Sequence, residues 1–513
     1  MKNNNLFAAL RAAFPADLER TAIETADGPG APLYYRWSDL ERGSAMMANL
    51  LASLRLPAGA RVAVQTEKSV EALMLYLAVL RAGYVYLPLN TAYQAGEIEY
   101  FIGNAEPGVV VCTGRNFGWV SKLAFKAGTR NVFTLDDDRT GSLLERAARH
   151  NDRHEVAQRK GDDLAAILYT SGTTGRSKGA MLTHDNLLSN ARTLKDYWGW
   201  RGDDVLIHAL PIFHVHGLFV ASHGALLAGA KMIWFAKFDA RKLIERLPEA
   251  TVFMGVPTLY VRLLAEPSLS RQACANMRLF IAGSAPLLLE TFNEWVERTG
   301  HTILERYGMS ETIMLTSNPY DPAQGERRGG TVGLPLPGVG LRVRDDKGQP
   351  LRTGEIGNIE VKGPNVFKGY WRMPDKTADE FTTDLWFKTG DVGKVGSDGY
   401  VSIVGRSKDL IISGGYNVYP AEIEECINQM PGVAESAVVG VRHADFGEAV
   451  VAVVVPKPGA TLDGAAISAA LKAQIANFKV PKAVFVVDDL PRNTMGKVQK
   501  NLLREQHKTL FIG

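Results

Sequence analysis

The sequence predicts an α/β protein: a large N-terminal body of layered parallel α/β subdomains plus a small antiparallel β subdomain, followed by a C-terminal α+β domain. Three textures along the chain support this prediction. Residues 60–310 alternate short β-branched runs with longer amphipathic runs, which favours a mostly parallel sheet covered by helices. Residues 331–404 are short strand-like runs between Gly, Asp and Pro turns, which is typical of a smaller antiparallel sheet or barrel. Beyond Gly405 lies a unit of about 100 residues, enough for a core of its own.

The β-branched runs predict the strands of the N-terminal body: Arg61–Gln65, Val109–Cys112, Leu164–Tyr169, Val205–Leu210, Lys231–Phe235, Thr251–Met254 and Leu279–Ala282. The amphipathic runs predict its helices: Val70–Arg81, Asn186–Tyr197, Arg241–Leu247 and Leu287–Arg298. In the C-terminal unit the same reasoning predicts the strands Val433–Arg442, Glu448–Val455 and Ala483–Val487 and the helix Ile467–Ile475. The short polar stretch Gly405–Lys408 predicts a hinge, so we expect domains at 1–405 and 406–513.

Composition narrows the class of partners. The 513 residues carry 58 Lys and Arg against 55 Asp and Glu, a net charge of +3. This balance argues against nucleic acid or a membrane surface as partner. The apolar stretch Phe213–Ala236 contains three histidines and a lysine, which disfavours a bilayer span. Three cysteines far apart in sequence show no disulfide framework and predict a reducing, cytoplasmic location. The 50 glycines indicate many tight turns, of the kind that can surround phosphates.

Residues 169–179, YTSGTTGRSKG, follow a predicted strand and read as a phosphate-binding loop. Glycines let successive N–H groups point into one concavity, hydroxyls add donors, and a lysine adds positive charge. The loop is not a Walker A motif, because Ser177 and Gly179 stand where that motif needs Gly and Ser or Thr. A polar surface loop is the alternative, which the density of Gly, hydroxyl and Lys disfavours. The candidate phosphate-binding residues are Thr170, Ser171, Gly172, Thr173, Thr174, Gly175 and Lys178.

This run resembles the signature of the adenylate-forming superfamily, which includes acyl-CoA synthetases, luciferases and peptide-synthetase adenylation domains. Ser177 stands where the family pattern usually carries Pro. Further matching motifs follow in the expected order, so the resemblance extends over nearly the whole chain. It implies ATP as substrate, Mg²⁺ as cofactor and a C-terminal domain that is mobile.

Two matching motifs lie in the middle of the chain. The first, which in the family lines the adenine and acyl pocket, consists of Gly283, Ser284, Ala285 and Pro286. The second spans 305–312, and the resemblance implies nucleotide contacts from Glu305, Arg306, Tyr307, Gly308, Met309 and Ser310. Tyr307 offers a stacking face for adenine. Glu311 is a hard oxygen ligand suited to Mg²⁺, with a solvated loop acid as the alternative, and Thr312 could donate to the α-phosphate.

The later motifs implied by the resemblance surround the hinge. Asp391 would accept both ribose hydroxyls, Arg406 would lie near ribose or phosphate, and Lys408 would be the pivot. The loop of Gly414, Gly415 and Tyr416 would swing into the thioester-forming site.

Residues 491–500 match the C-terminal catalytic motif of the family in full. Lys497 is a compact point charge on a glycine-bounded loop, able to reach between carboxylate and α-phosphate as charge develops. We expect the loop to be exposed. A further hypothesis is therefore that a protein acetyltransferase modifies Lys497, which would remove its charge.

The acid pocket is expected between residues 210 and 285, lined in part by Ser284. Residues 211–217 resemble the segment whose His gates the pocket, and His214 is the candidate, although either His214 or His216 could be a core residue instead. Taken whole, the chain is most similar to the malonyl-CoA synthetases of the superfamily. Those enzymes need a cation for the second carboxylate of malonate, and a planar Arg can bind it bidentately. Arg262 is the candidate, with a surface ion pair as the alternative, and Arg278 is the reserve.

The predicted function is an ATP-dependent malonate–CoA ligase, with methylmalonate as a second acid. It would act through an acyl-adenylate and release AMP and pyrophosphate, with malonate, ATP and CoA as its small-molecule substrates. The alternatives are another short-chain or aryl acid–CoA ligase, a stand-alone adenylation enzyme that loads a carrier protein, and a nucleotide-binding sensor without turnover. The complete Lys497 motif disfavours the sensor.

Overall fold

The computed structural model describes residues 3–28, 30–170, 177–413, 416–443, 446–472, 474–493 and 496–511. The α-helices are α1 Leu6–Ala12, α2 Trp37–Ser53, α3 Val70–Arg81, α4 Ala95–Ala105, α5 Phe117–Lys126, α6 Ser142–Ala147, α7 His184–Tyr197, α8 His223–Ala228, α9 Ala240–Arg246, α10 Pro257–Leu264, α11 Leu289–Thr299, α12 Pro374–Asp379, α13 Pro420–Asn428, α14 Gly464–Lys472 and α15 Lys500–His507.

The strands of the N-terminal body are β1 Thr21–Thr25, β2 Tyr34–Arg36, β3 Arg61–Gln65, β4 Val85–Pro88, β5 Val109–Cys112, β6 Asn131–Thr134, β7 Leu164–Thr170, β8 Lys178–Thr183, β9 Val205–His208, β10 Lys231–Trp234, β11 Val252–Gly255, β12 Leu279–Ala282, β13 Ile303–Met309, β14 Ile313–Ser317, β15 Leu334–Pro335, β16 Gly340–Arg344, β17 Gly357–Lys362, β18 Gly369–Tyr370, β19 Phe387–Val395 and β20 Val401–Arg406. Those beyond it are β21 Ile411–Ser413, β22 Tyr416–Val418, β23 Val433–His443, β24 Gly447–Pro456 and β25 Ala483–Val486.

Two large sheets with parallel centres form the N-terminal body. Their strand orders are β18-β8-β7-β4-β3-β5-β6 and β15-β14-β13-β12-β11-β9-β10-β1-β2. The pairs from β7 through β4, β3 and β5 to β6 are parallel, and so are those from β13 to β1. Strands such as β5, VVVC, are buried along their whole length, as expected for a parallel sheet covered on both faces.

The main core lies between these two sheets. Helix α3 begins where the Ser69 hydroxyl accepts a hydrogen bond from the Ala72 amide, and all twelve of its residues are buried. A helix that is apolar on nearly every side belongs inside a protein, and α3, whose only charged residues are Glu71 and Arg81, lies there. One continuous cluster of buried side chains joins α3 to both sheets.

Two smaller sheets complete the molecule. The antiparallel sheet β16-β17-β19-β20 confirms the change of texture after residue 331. The C-terminal sheet has the order β22-β21-β24-β23 with β25 parallel to β24, and helices α13 to α15 pack on it. It has core clusters of its own, so the predicted α/β class with a C-terminal α+β unit is confirmed.

Differences from the predicted elements are concentrated at hairpins. The phosphate-loop segment does not lead directly into a helix, because β8 returns antiparallel to β7 before α7 begins at His184. Helix α11 begins at Leu289, so Pro286 lies before the helix and not in its first turn. Among the residues with described structure, no helix is both long enough and apolar enough to cross a bilayer.

Candidate active site

The hairpin between β13 and β14 presents the central motif. A Cβ at Gly308 would lie 1.8 Å from the carbonyl oxygen of Ile313, so only glycine fits there. Ile313 itself has φ of 60°, in the left-handed region that β-branched residues rarely adopt. Such a backbone persists only where its surroundings fix it, and it occurs often at functional sites.

Two buried amide side chains hold this strained turn. The Asn190 side chain donates to the Met314 carbonyl at 2.8 Å and accepts from the Met314 amide at 3.3 Å. The Asn365 side chain donates to the carbonyls of Thr312 and Met314 at 2.7 and 3.0 Å. The turn therefore presents Glu311 and Thr312 in one fixed geometry.

Glu311 and Thr312 are both buried. One oxygen of Glu311 accepts a hydrogen bond from the Tyr370 hydroxyl at 2.8 Å. Burial raises the pKa of Glu311, while this hydrogen bond and the charge of Lys178 oppose the rise. The Thr312 hydroxyl is fully buried and has no hydrogen-bond partner among the described residues. A ligand that brings oxygen atoms would satisfy it.

Lys178 lies on the other side of Tyr370. It is the first residue of β8 and pairs with Thr170, so the structure fixes both ends of the loop. Its ammonium lies 3.5 Å from a carboxylate oxygen of Glu380 and 4.5 Å from the centre of the Tyr370 ring. The loop residues Ser171, Gly172, Thr173, Thr174 and Gly175 lie outside the described residues.

The chemistry of this corner fits a magnesium-bound polyphosphate. Within the described ranges, no group of three or more His, Cys, Asp or Glu side chains could hold a metal ion by itself. Mg²⁺ is usually bound by one or two carboxylates, phosphate oxygens and water. Glu311 is the carboxylate that would hold it.

Asp391 joins the hairpin to the strands that precede the predicted hinge. It is Arg406's partner across β19 and β20, and its carboxylate lies 3.3 Å from the Arg406 guanidinium. The Tyr307 hydroxyl donates to the same carboxylate at 2.5 Å. Burial raises the pKa of Asp391, and Arg406 opposes the rise. The nucleotide residues predicted from two separate motifs therefore meet at one carboxylate.

Lys497 reaches this site from the C-terminal unit. The side chain of Asn493 accepts from the Lys497 amide at 2.9 Å, and the Asn493 amide donates to the Lys497 carbonyl at 2.9 Å. A Cβ on the neighbouring Gly496 would lie 3.1 Å from the Thr258 hydroxyl, so the loop approaches the N-terminal body closely. Burial, followed by the charge of Arg406, lowers the pKa of Lys497 to about 8. In this conformation the lysine is partly buried, contrary to the expectation of an exposed loop.

Arg306 is a buried cation beside the same site. Its side chain is 2% exposed, and its Nε and Nη2 have no hydrogen-bond partner among the described residues. A Cβ at Gly283 would lie 2.5 Å from the centre of the guanidinium, so glycine leaves the room that Arg306 occupies. Burial lowers the pKa of Arg306 to about 9. Glu305, the preceding residue on β13, accepts a hydrogen bond from the Leu287 amide at 3.2 Å.

Two histidines line the space near Arg306. The His214 ring accepts from the His216 amide at 3.3 Å, and the His216 ring lies 3.5 Å from the Ser284 hydroxyl. Burial, with the charges of Lys497 and Arg306, lowers the pKa of His214 to about 3. Burial also lowers the pKa of His216, whose Nε2 has no partner among the described residues. Both rings are therefore neutral near pH 7. Ser284, with φ of 74°, Ala285 and the exposed Pro286 continue the same turn.

The two arginines nominated for the acid pocket lie in different surroundings. Arg278, the reserve candidate, donates to both oxygens of buried Asp204, at 2.7 and 2.5 Å. Its guanidinium is therefore already paired with a carboxylate of the protein. Arg262 lies exposed on α10, one helical turn after Thr258, which adjoins the Lys497 loop. No ion pair involves Arg262 within the part of the chain that the structure describes.

The predicted pivot lies in a short turn. Lys408 is the middle residue of a 3₁₀ turn, Ser407–Asp409, that follows β20 directly. Tyr416 is exposed in β22, and its ring stacks on Phe478 with centres 4.7 Å apart. Gly414 and Gly415 lie outside the described residues.

Three residues of this site were not predicted. Asn190, Asn365 and Tyr370 come from a helix, a loop and a short edge strand, far apart in sequence. Each is one ordinary polar residue in an unremarkable stretch, and only the fold brings it to the turn. A buried Asn or Tyr between apolar neighbours is a weak signal, because most such residues satisfy structural hydrogen bonds.

Comparison with protein families shows to which class of enzymes this fold and site belong. The family model of the AMP-binding enzyme matches residues 16–371, and that of the AMP-binding enzyme C-terminal domain matches 422–497. The chain belongs to this family of adenylate-forming enzymes.

Individual members of the family are similar to this chain over most of its length. ATP-bound MatB from Rhodopseudomonas palustris is 57% identical over 99% of this chain and 100% of its own, with a TM-score of 0.96, and its apo form gives 0.85. The malonate–CoA ligase of Arabidopsis thaliana is 35% identical over 87% of this chain and 78% of its own. A feruloyl-CoA synthase of Amycolatopsis is 33% identical over 92% and 93%.

Proposed function

We propose that this enzyme is an ATP-dependent malonate–CoA ligase that also accepts methylmalonate. The observation that carries the choice of acid is Arg306, a buried guanidinium with two unpartnered nitrogens near His214 and Lys497. A buried cation whose N–H donors lack acceptors is costly, and a dicarboxylate would supply both acceptors and negative charge. The similarity to a malonate–CoA ligase supports the same choice.

In the first step a carboxylate oxygen of malonate attacks the α-phosphorus of ATP, and the bond to the β-phosphate breaks. Malonyl-AMP and pyrophosphate result. Lys497 stabilises the charge that develops between the carboxylate and the α-phosphate, and the Thr312 hydroxyl donates to the α-phosphate. Mg²⁺ held by Glu311 would neutralise charge on the phosphates. Asp391 and Tyr307 hold the ribose and adenine, while Arg306 binds the carboxylate that does not react.

In the second step the CoA thiolate attacks the carbonyl carbon of malonyl-AMP, and AMP leaves as the carbon–oxygen bond breaks. We assign residues 1–405 to a body that retains the adenylate and 406–513 to a domain that turns about Lys408. The turn withdraws Lys497 and brings the loop of Gly414, Gly415 and Tyr416 to the thiol. Such a change between two chemical steps is a gating motion.

The test is a panel of acids assayed for pyrophosphate and for thioester, each with and without CoA. The panel contains malonate, methylmalonate, propionate, benzoate and ferulate. The proposal expects pyrophosphate and thioester with malonate and methylmalonate, and far less with the monocarboxylates. A preference for benzoate or ferulate would overturn the assignment of the acid. Pyrophosphate without thioester would point to a carrier protein as the acceptor.

The proposal also covers the location of the enzyme in the cell and the acetylation of Lys497. The free cysteines fit the cytoplasmic location that the sequence predicts. Acetylation of Lys497 requires a conformation in which the C-terminal domain has turned away, since the lysine is partly buried here. Full activity of the acetylated enzyme would exclude that modification as a switch.

A further inference from the structure

Tyr370 occupies the point where the two halves of the phosphate site meet. Its strand, β18, pairs antiparallel with β8, which places Tyr370 opposite Ala180, two residues after Lys178. The Trp371 amide donates to the Gly179 carbonyl at 2.7 Å, so the backbone around Tyr370 is tied to the end of the phosphate loop. Tyr370 is 4% exposed, and its ring packs against Phe367.

The hydroxyl of Tyr370 determines where the Glu311 carboxylate lies. It donates to Glu311 at 2.8 Å, and the Phe367 amide donates to the Glu311 carbonyl at 2.8 Å. One short segment therefore holds both the backbone and the side chain of the carboxylate assigned to Mg²⁺. The hydrogen bond occupies one carboxylate oxygen and orients the other.

The ring of Tyr370 holds the opposite charge. The Lys178 ammonium lies 4.5 Å from the ring centre, a cation–π distance, and 3.5 Å from Glu380. Glu380 is shared with Lys376 at 3.1 Å. The lysine is thus kept beside the loop by two weak contacts, which a triphosphate of higher charge can replace.

We propose that Tyr370 is a positioning residue of the phosphate site: its hydroxyl orients Glu311 toward the metal–triphosphate, and its ring holds Lys178 ready for phosphate. A single aromatic side chain thereby contacts both charged groups, Glu311 through its hydroxyl and Lys178 through its ring. This deepens the proposed function, because it concerns ATP binding and is independent of which acid the enzyme uses.

The test separates the two parts of the side chain. Tyr370→Phe removes only the hydroxyl, whereas Tyr370→Leu also removes the aromatic face. Binding of Mn²⁺·ATP is measured by electron paramagnetic resonance, and binding of ATP without metal by equilibrium dialysis, in the full-length enzyme. Tyr370→Phe should weaken Mn²⁺·ATP binding by about tenfold, the loss of one hydrogen bond to a charged group, and leave metal-free ATP binding unchanged. Tyr370→Leu should weaken both.

A matched control exists on another strand. Tyr400 is also buried, its hydroxyl donates to the Glu326 carbonyl at 2.7 Å, and Arg328 lies 4.1 Å from its ring centre. Tyr400→Phe should change the melting temperature about as much as Tyr370→Phe without changing Mn²⁺·ATP binding.

The inference is overturned if Tyr370→Phe binds Mn²⁺·ATP as the parent does, or if its metal-dependent and metal-free binding fall together. It is also overturned if Tyr370→Phe weakens Mn²⁺·ATP binding as much in a Glu311→Gln background as in the parent. None of these readouts uses malonate, so failure of the acid assignment would leave the inference standing.

Discussion

At the scale of single residues, Lys497 shows how burial changes the pKa of a charged side chain. Burial and Arg406 lower its pKa from 10.5 to about 8, so the free enzyme loses this charge in a range where activity can be measured. A neutral amine cannot stabilise charge on the α-phosphate. We therefore expect kcat/KM for malonate-dependent pyrophosphate release to fall as pH rises above about 8.

The control reaction is thioester formation from supplied malonyl-AMP, in which the proposed mechanism gives Lys497 no part, so it should show no such fall. If kcat/KM for pyrophosphate release does not fall between about pH 7 and 9.5, the role proposed for Lys497 is wrong. The sign for stability is the opposite: between pH 8 and 10.5 the folded state binds fewer protons than the unfolded state. The free energy of unfolding contributed by Lys497 therefore rises with pH across that window.

Arg306 and Arg262 can be separated by substitution. Arg306→Met should lower kcat/KM for malonate by at least about 100-fold and affect propionate far less, because two hydrogen bonds between charged groups are lost. The melting temperature should stay or rise, since a buried charge with two nitrogens that lack hydrogen-bond partners is removed. Arg262→Ala should also lower activity on malonate more than on propionate. An equal effect on both acids would show that Arg262 does not bind the second carboxylate.

Arg278→Met is the matched control. It leaves Asp204 buried without its partner and should lower the free energy of unfolding by about 3 kcal/mol. The ratio of malonate to propionate activity should not change. A changed ratio would mean that the Asp204 pair acts on the acid pocket.

Many residues of the candidate site can be predicted from the sequence, but the contacts between them cannot. Glu311, Asp391 and Lys497 stand in runs that resemble motifs of the adenylate-forming enzymes, and that resemblance identifies them. The unpartnered state of Arg306 depends on Gly283 and on the packing of the β12 and β13 strands, which no local pattern encodes. The same holds for Asn190 and Asn365, which act only because distant elements place them at one turn.

At the scale of elements, the β13–β14 hairpin leaves no room for a side chain at Gly308. We expect Gly308→Ala to lower the free energy of unfolding by about 2–4 kcal/mol and to abolish ATP binding, because a Cβ cannot share space with a backbone carbonyl. Thermal melting and ATP titration measure the two effects. Gly103→Ala, in α4 and facing open space, should be neutral or stabilising by up to about 1 kcal/mol. Equal stability of the two variants would contradict the argument.

The elements also show where prediction from sequence ends. Buried parallel strands such as β3 and β5 carry continuous β-branched runs, and α3 has a capping Ser followed by apolar residues, so their bounds were predicted to the residue. Strand β8 and the hairpin at β14 were missed, because their pairing depends on turns rather than on hydrophobic period. Strand β1 joins β10, more than 200 residues away, and no local signal reports such a partner.

At the scale of the whole molecule, one ion pair joins α11 to the C-terminal unit. Lys457 lies 2.5 Å from Glu290, and both side chains are about half exposed. An exposed pair of this kind contributes about 0–1 kcal/mol. Glu290→Gln should therefore weaken the orientation seen here by up to about fivefold, raising KM for ATP in adenylation while thioester formation from malonyl-AMP is unchanged.

Glu294→Gln is the control, because Glu294 is exposed on the same helix and has no ion pair among the described residues. Fluorescence energy transfer between labels on the two units would report the orientation directly, and high salt should reproduce the effect of Glu290→Gln. An unchanged transfer efficiency would show that the pair does not contribute to the orientation.

The pairing of Asp391 with Arg406 has a consequence for the fate of the intermediate. Asp391 lies in β19, well before the Ser407–Asp409 turn, so under the proposed motion a rotation about Lys408 would carry Lys497 away and leave the ribose at Asp391. In the proposed mechanism the reactive anhydride would therefore stay on one surface between its synthesis and its consumption. The proposed rotation exchanges the side chains around the acyl-adenylate while the acyl-adenylate itself remains bound.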